Sequence, residues 1–185
     1  HISIPKKTVT FGEFYGEPVK WEIVRKNDDG TLLLVTKDCV GFMPFDDNSN
    51  SWETSELREW LNGEFLSEFS AKDREKIVTT RNKNFLTYDE RGRAEGGNHA
   101  HYWNFTPSLV YDMGETAYHN FVEDNVFVPT LSILEKVHSN EAYWVMCPYT
   151  SNEYMSRFMN SDGFILHNDI KNEKGVRAAI RIKEE

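Results

Sequence analysis

His99 and His101 are separated only by Ala100, with His119 farther on, and two alternate imidazoles on a strand would point the same way, as a zinc site requires. The adjacent Gly96-Gly97-Asn98 instead marks a solvated loop, and no bound metal is expected. Asp46-Asp47-Asn48-Ser49-Asn50 resembles the oxygen-rich start of a calcium loop. Counted from Asp46, however, an EF-hand would place Ser51 where glycine belongs and Leu57 where the bidentate glutamate belongs. That reading fails, and only a looser calcium site shared with other loops stays open. Cys39 and Cys147 form no Cys-x-x-Cys pair, so two buried free thiols are expected, with a single disulfide as the alternative. No nucleophile elbow, phosphate-binding glycine loop or His-Glu-x-x-His occurs. Thirty Asp and Glu residues leave open a pair of carboxylates that meet only in space, as glycosidases use. No cofactor is expected.

The remaining chemistry is aromatic and guanidinium. Tyr88, Tyr102, Trp103 and Tyr111, with His99, His101 and His119, form the candidate ligand-binding set, because rings with polar tips suit a partly exposed recognition surface. The alternative is that these aromatics form a second small cluster over the core. Structural roles over ligand binding are expected for Arg58 and Arg177, since an Arg set among strand residues of an apolar pattern commonly satisfies carbonyls or a carboxylate with its guanidinium fork. Trp52 and Trp60 are read as core residues, because a Trp at helix spacing is more often core than contact.

The elements that must position these groups fit one domain over residues 1–185, with 1–11 as a lead-in or linker. The chain opens His1-Ile2-Ser3 without Met, so a longer precursor is expected. Net charge is −9 and no basic run exceeds Lys6-Lys7, which argues against nucleic acid as a partner. No apolar run approaches the roughly 20 residues of a membrane-spanning helix. Val19, Trp21 and Ile23 alternate with charged residues before the turn Asn27-Asp28-Asp29-Gly30, which predicts a hairpin with residues 32–36, led in by a turn at Gly12 and Gly16. Residues 41–51 read as loop. Thr54 or Ser55 caps a helix with Leu57, Trp60, Leu61 and Phe65 on one face, and Ser70 opens a second, shorter one. Residues 80–125 keep neither period and read as a long irregular excursion. Residues 126–128 read as a strand, and Ser132 with Glu135 gives a capping box for a helix ending near His138. Residues 143–146 and 164–167 are short strand candidates. Val176, Ala178, Ile180 and Ile182 alternate most clearly of all, and residues 19–25 and 176–182 are expected to be neighbours in one antiparallel sheet.

The fold class read from this order is α+β, with paired N- and C-terminal strands, flanking short helices and long loops. Three stretches also resemble a bacterial domain family of unknown function, common in gut anaerobes: the Trp21 hairpin, WETSELREWLN at 52–62 and GVRAAIRI at 175–182. The family signature W-x-x-S-x-L-R-x-W-L-N falls on Trp52, Ser55, Leu57, Arg58, Trp60, Leu61 and Asn62, and its closing G-V-R-P-A on Gly175, Val176 and Arg177. FVPTLSILE at 127–135 matches a further segment, while Met146 stands where that family has Arg and Ala178 where it has Pro. The likeness spans residues 12–182, with 88–120 outside its motifs. The closing strand also resembles the C-type-lectin-like fold shared with formylglycine-generating enzymes. Cys39 and Cys147 lack the close pair that activity needs. What the resemblance implies is a non-catalytic recognition or structural domain, extracellular or on the bacterial cell surface, binding a carbohydrate, a peptide or another protein. A hydrolase or oxidase using a cleft between the long loops is the alternative.

Overall fold

A computed structural model of the protein describes residues 7–85, 119–137, 139–149 and 152–184. The alternating Val19, Trp21 and Ile23 lie on β2 (Glu17–Lys26), which forms a hairpin with β1 (Thr8–Phe14). Tyr15 and Gly16 make the turn at φ 49° and 79°, a conformation that glycine adopts without a Cβ penalty. Strand β1 thus begins inside the stretch read as a lead-in. Its pairing is interrupted between Thr10 and Glu13, where Gly12 at φ 72° passes so close to the Phe69 ring that a side chain there would collide with it. That irregularity removes the period a sequence reading needs.

β3 (Thr31–Thr36) follows, and then β4 (Gly41–Met43), a strand where a loop was expected. Helix α1 (Glu56–Trp60) continues through a π-helical turn at Leu61–Phe65, and α2 (Ala71–Lys76) precedes β5 (Ile77–Val78). Both caps behave as their sequences predict. The Ser55 hydroxyl accepts from the Arg58 amide and the Ser70 hydroxyl from the Asp73 amide, both at 3.1 Å, which satisfies donors that a helix start leaves open. Leu57, Leu61 and Phe65 face the core with no exposure.

The excursion is not irregular at its ends. Thr80–Phe85 is β6 and His119–Asp124 is β7, and the two pair antiparallel from Thr80–Asp124 to Phe85–His119 as a separate ribbon. The ribbon escapes a hydrophobic-period reading because its buried face is largely polar: Asn84 and Asn120 are buried, and the Asn84 amide donates to Asn120 Oδ1 at 3.0 Å. Residues 126–128, expected as a strand, make only one bridge, Phe127 to Ala179. A 3-10 turn at Leu131–Lys136 replaces the expected capped helix. It opens at Thr130 with no side-chain cap, and Ser132 lies inside it with its hydroxyl 3.0 Å from that of Thr130. β8 (Tyr143–Pro148), β9 (Met155–Met159), β10 (Ile165–Asp169), β11 (Lys174–Val176) and β12 (Ala179–Lys183) complete the chain.

Two five-stranded sheets result, in the orders β1-β2-β3-β12-β5 and β10-β9-β8-β11-β4, antiparallel except for the β11–β8 pair. One hydrophobic core takes side chains from both sheets and from the helical segment, so the described chain is a single, predominantly β, α+β domain. The terminal strands share a sheet but are not neighbours, because β3 stands between β2 and β12. Nor is 176–182 one strand. The chain leaves one sheet after Val176 and enters the other at Ala179, and β3 and β4 make the matching passage opposite it. At this crossing Arg177 is fully buried. Its Nε donates to the Thr36 carbonyl at 2.9 Å and a terminal nitrogen to the Lys37 carbonyl at 3.2 Å, while Thr36 Oγ1 accepts from the Ala178 amide at 3.1 Å. Side chains therefore supply hydrogen bonds where the backbone bends out of regular pairing.

Gly175, just before the crossing, is fixed by proximity. A Cβ there would lie 2.7 Å from the Ala142 carbonyl oxygen and collide with Cys39 Sγ. Gly175→Ala is expected to lower folding stability by about 1–3 kcal/mol, the usual cost of overpacking a closed site. Urea denaturation checks this, and an unchanged midpoint would show that β8 can yield.

Candidate functional site

The residues of the helix-1 signature converge on the end of the ribbon. Trp52 Nε1 donates to Asp124 Oδ2 at 2.9 Å, and Arg58 Nε donates to Oδ1 of the same carboxylate at 2.6 Å. Arg58 also reaches the Glu53 carbonyl at 2.9 Å. Asn62 grips the next segment like a strand partner: its amide donates to the Val126 carbonyl at 2.8 Å and its oxygen accepts from the Val126 amide at 2.9 Å. Ser55 caps α1 and donates to the Trp52 carbonyl at 2.8 Å. Trp60 packs edge-on against Phe14, with centroids 5.7 Å apart. Trp52, Arg58 and Asn62 thus fasten the end of the ribbon and the segment after it to the helix, as Arg177 fastens the two sheets.

At the foot of the same ribbon is a groove of about 440 Å³. Its floor is set by strand register: Arg25 and Arg181 each pair with Leu33, one from either side, so the three side chains share a face of the sheet. Arg81 and Asn82 enter from the ribbon, and the 3-10 turn closes the far wall with Ser132 and Ile133. Arg81 lies over the Phe121 ring, 3.7 Å from its centroid, a cation–π contact that holds the guanidinium at the ribbon. Arg181 donates to the Thr79 carbonyl at 2.7 Å and lies 3.6 Å from Asp29 Oδ2. Arg181 Nε and Asn82 Nδ2 are nevertheless buried without a hydrogen-bond partner among the described residues. Glu123 is the one carboxylate in the described lining. A shallower cleft beside Arg58 and Asp124 adjoins this groove, sharing Thr79 and Glu123 with it.

Of the candidate ligand-binding residues, Tyr88, His99, His101, Tyr102, Trp103 and Tyr111 lie outside the described residues. His119 is buried, its ring edge-on to Phe121 at 5.4 Å. Asp46, Asp47 and Glu56 bring carboxylate oxygens within 4.8 Å of one another. Asp46, though, already accepts from the amides of Asn48, Ser49 and Glu56, so what it is seen to do is close its own loop and hold the start of α1. The groove arginines were not singled out from the sequence. Their signal was faint: Arg25 and Arg181 each sit where a strand pattern allows any solvated charge, and only register brings them together.

Both cysteines are free. Burial pushes each thiol up to about 11, Cys147 wholly enclosed and Cys39 with the Glu141 carboxylate adding to the effect. A thiol protonated at neutral pH is a poor nucleophile. Native protein at pH 7.5 is therefore expected to react with a thiol reagent at least tenfold more slowly than unfolded protein, followed by absorbance; rapid native labelling of either cysteine would contradict this. Because the folded thiols hold their protons above the unfolded value of 9.0, stability from this source is complete below about pH 9 and falls as pH rises towards 11.

Neither the curated proteins nor the solved structures include a significant match to this chain. A family sequence profile does match, over residues 29–184, which takes in the helix-1 signature, the ribbon and the closing Gly175-Val176-Arg177 and leaves the Trp21 hairpin outside. With that match spanning most of the chain, from the turn before β3 to the end of β12, the protein belongs to the family described as Domain of unknown function (DUF6273).

Proposed function

We propose that this domain is a non-catalytic recognition module of a bacterial surface or secreted protein. The observation that carries the reading is the donor-rich groove at the foot of the ribbon, where Arg25, Arg81 and Arg181 line an open space and two N–H donors beside it, Arg181 Nε and Asn82 Nδ2, are enclosed without a hydrogen-bond partner among the described residues. Such a lining holds a ligand by hydrogen bonds and offers little to break one. Within the groove's described lining, two-carboxylate hydrolysis would need a companion for Glu123, and both thiols are held protonated. The volume lies within the range of about 300–1,000 Å³ typical of small-ligand sites.

The likeness to the C-type-lectin-like scaffold is part of the same proposal. Supporting it is the sheet shared by the first hairpin, β1–β2, and the last strand, β12; the intervening β3 departs from it. The surface or secreted setting rests on the resemblance read in the sequence. Equilibrium binding to arrayed glycans and peptides, with mass spectrometry of the recovered ligand, tests the recognition role. Saturable binding with the ligand recovered intact is expected, and protein-dependent conversion would make the domain an enzyme. Protease shaving of intact source cells tests the setting, since a surface protein loses its signal while a cytoplasmic control keeps it.

A further inference from the structure

The geometry points to an acidic sugar as the ligand of the groove formed by Arg25, Arg81, Arg181 and Asn82, an inference that rests on the recognition reading above and narrows it. Three guanidiniums gather around one space in a chain whose net charge is −9. Asp29 lies beside Arg181 and Glu123 is the one carboxylate in the described lining, so the groove keeps an excess of positive charge, which draws an anion. The unpartnered groups have one polarity. Arg181 Nε and Asn82 Nδ2 are both N–H donors, enclosed beside the groove without a hydrogen-bond partner among the described residues, so the polar character on this side is that of donors and suits a ligand that brings acceptors. A guanidinium fork matches a carboxylate or another oxyanion, and Arg81 is oriented in advance by the Phe121 ring.

The remaining lining argues for hydroxyls beside the anion. Thr80, Thr130 and Ser132 carry hydroxyl groups that both donate and accept, and Asn27 adds an amide. Leu33, Phe127 and Ile133 supply an apolar floor against which the C–H face of a sugar ring can lie. A bare inorganic anion would use the arginines and leave this half of the groove idle. A hexuronic acid would use both. The Glu123 carboxylate at the rim accepts from sugar hydroxyls and repels a second charge on the ligand, which favours a monoanionic ring over a polyphosphate.

The test uses the whole chain with D-glucuronate, D-glucose, succinate and inorganic phosphate as separate probes. Melting temperature and side-chain N–H resonances of Arg and Asn are the readouts. Glucuronate is expected to raise the melting temperature saturably and to shift the Arg181 Nε–H and Asn82 amide signals, while glucose does neither. Arg181→Gln should weaken this binding at least tenfold. Arg25→Gln provides the same test should the first variant fold poorly, since the Arg25 hydrogen bond to Asn27 stays within its own hairpin. Equal response to succinate or phosphate overturns the sugar assignment, and no response to any anion overturns the site. Intact binding of a neutral glycan or peptide that both variants retain overturns this inference and leaves the recognition role standing. Hydrolysis of a nitrophenyl glucuronide, lost in Arg181→Gln, would instead overturn the recognition role and keep the acidic-sugar groove.

Discussion

Arg177→Ala is expected to lower folding stability by about 3–5 kcal/mol, a large part of the roughly 5–15 kcal/mol that holds a domain together. The side chain is fully buried at the crossing of two sheets and donates to the carbonyls of Thr36 and Lys37. It also lies 3.7 Å from Glu22 and over the Tyr143 ring, 5.2 Å from its centroid. Truncation would withdraw those donors together and leave a void beside a carboxylate that is itself largely enclosed. Burial pushes the Tyr143 hydroxyl up to about 12, against the opposing pull of Arg177, so the ring stays neutral beside the cation and does not compensate its charge. Arg177→Lys keeps the charge but lacks the planar fork, and it should recover less than half of the loss. Urea titrations of the three proteins decide the matter. A loss below about 1 kcal/mol for alanine, at unchanged slope, would mean that the crossing is held by backbone pairing and not by this side chain.

Legibility in the sequence followed the physical origin of each feature. Helix α1 was readable because its cap and its apolar face are both local: Ser55, Leu57 and Leu61 act within a few residues of one another. The alternation of Val176 to Ile182 was equally local and correctly marked extended chain. The break at Arg177 was not, since it depends on β3 and β4 making the same passage opposite. The ribbon was missed for a different reason. Its strands are recognised by backbone pairing and buried asparagines, and neither leaves an apolar period. The groove was the least legible, because Arg25, Arg81 and Arg181 come from three strands far apart in the chain and gain meaning only through register.

Asp124→Ala is expected to lower stability by about 2–4 kcal/mol and to loosen the ribbon more than the rest of the fold. Its carboxylate is almost wholly buried and receives Trp52 Nε1 and Arg58 Nε at once, so the change leaves a buried indole N–H and a half-buried guanidinium without their acceptor. Arg58 is the more exposed partner and can turn towards water, which is why the expected loss is smaller than at Arg177. Asp124→Asn keeps one acceptor oxygen for Trp52 but gives up the charge for Arg58, and an intermediate loss follows. Position in the ribbon decides where the damage appears. Asp124 pairs with Thr80, and its neighbour Glu123 pairs with Arg81, so the residue held by the helix and the residues lining the groove are adjacent rungs of one ladder. Hydrogen exchange should therefore quicken at the amides of β6 and β7 while β3 and β12 stay protected, and glucuronate binding should weaken in parallel. Uniform loss of protection across both sheets would show that the signature of helix α1 supports the whole fold. Unchanged exchange in the ribbon would show that Asn62 and the Thr79 to Asn125 contact suffice to hold it, and the link from signature to groove would then fall.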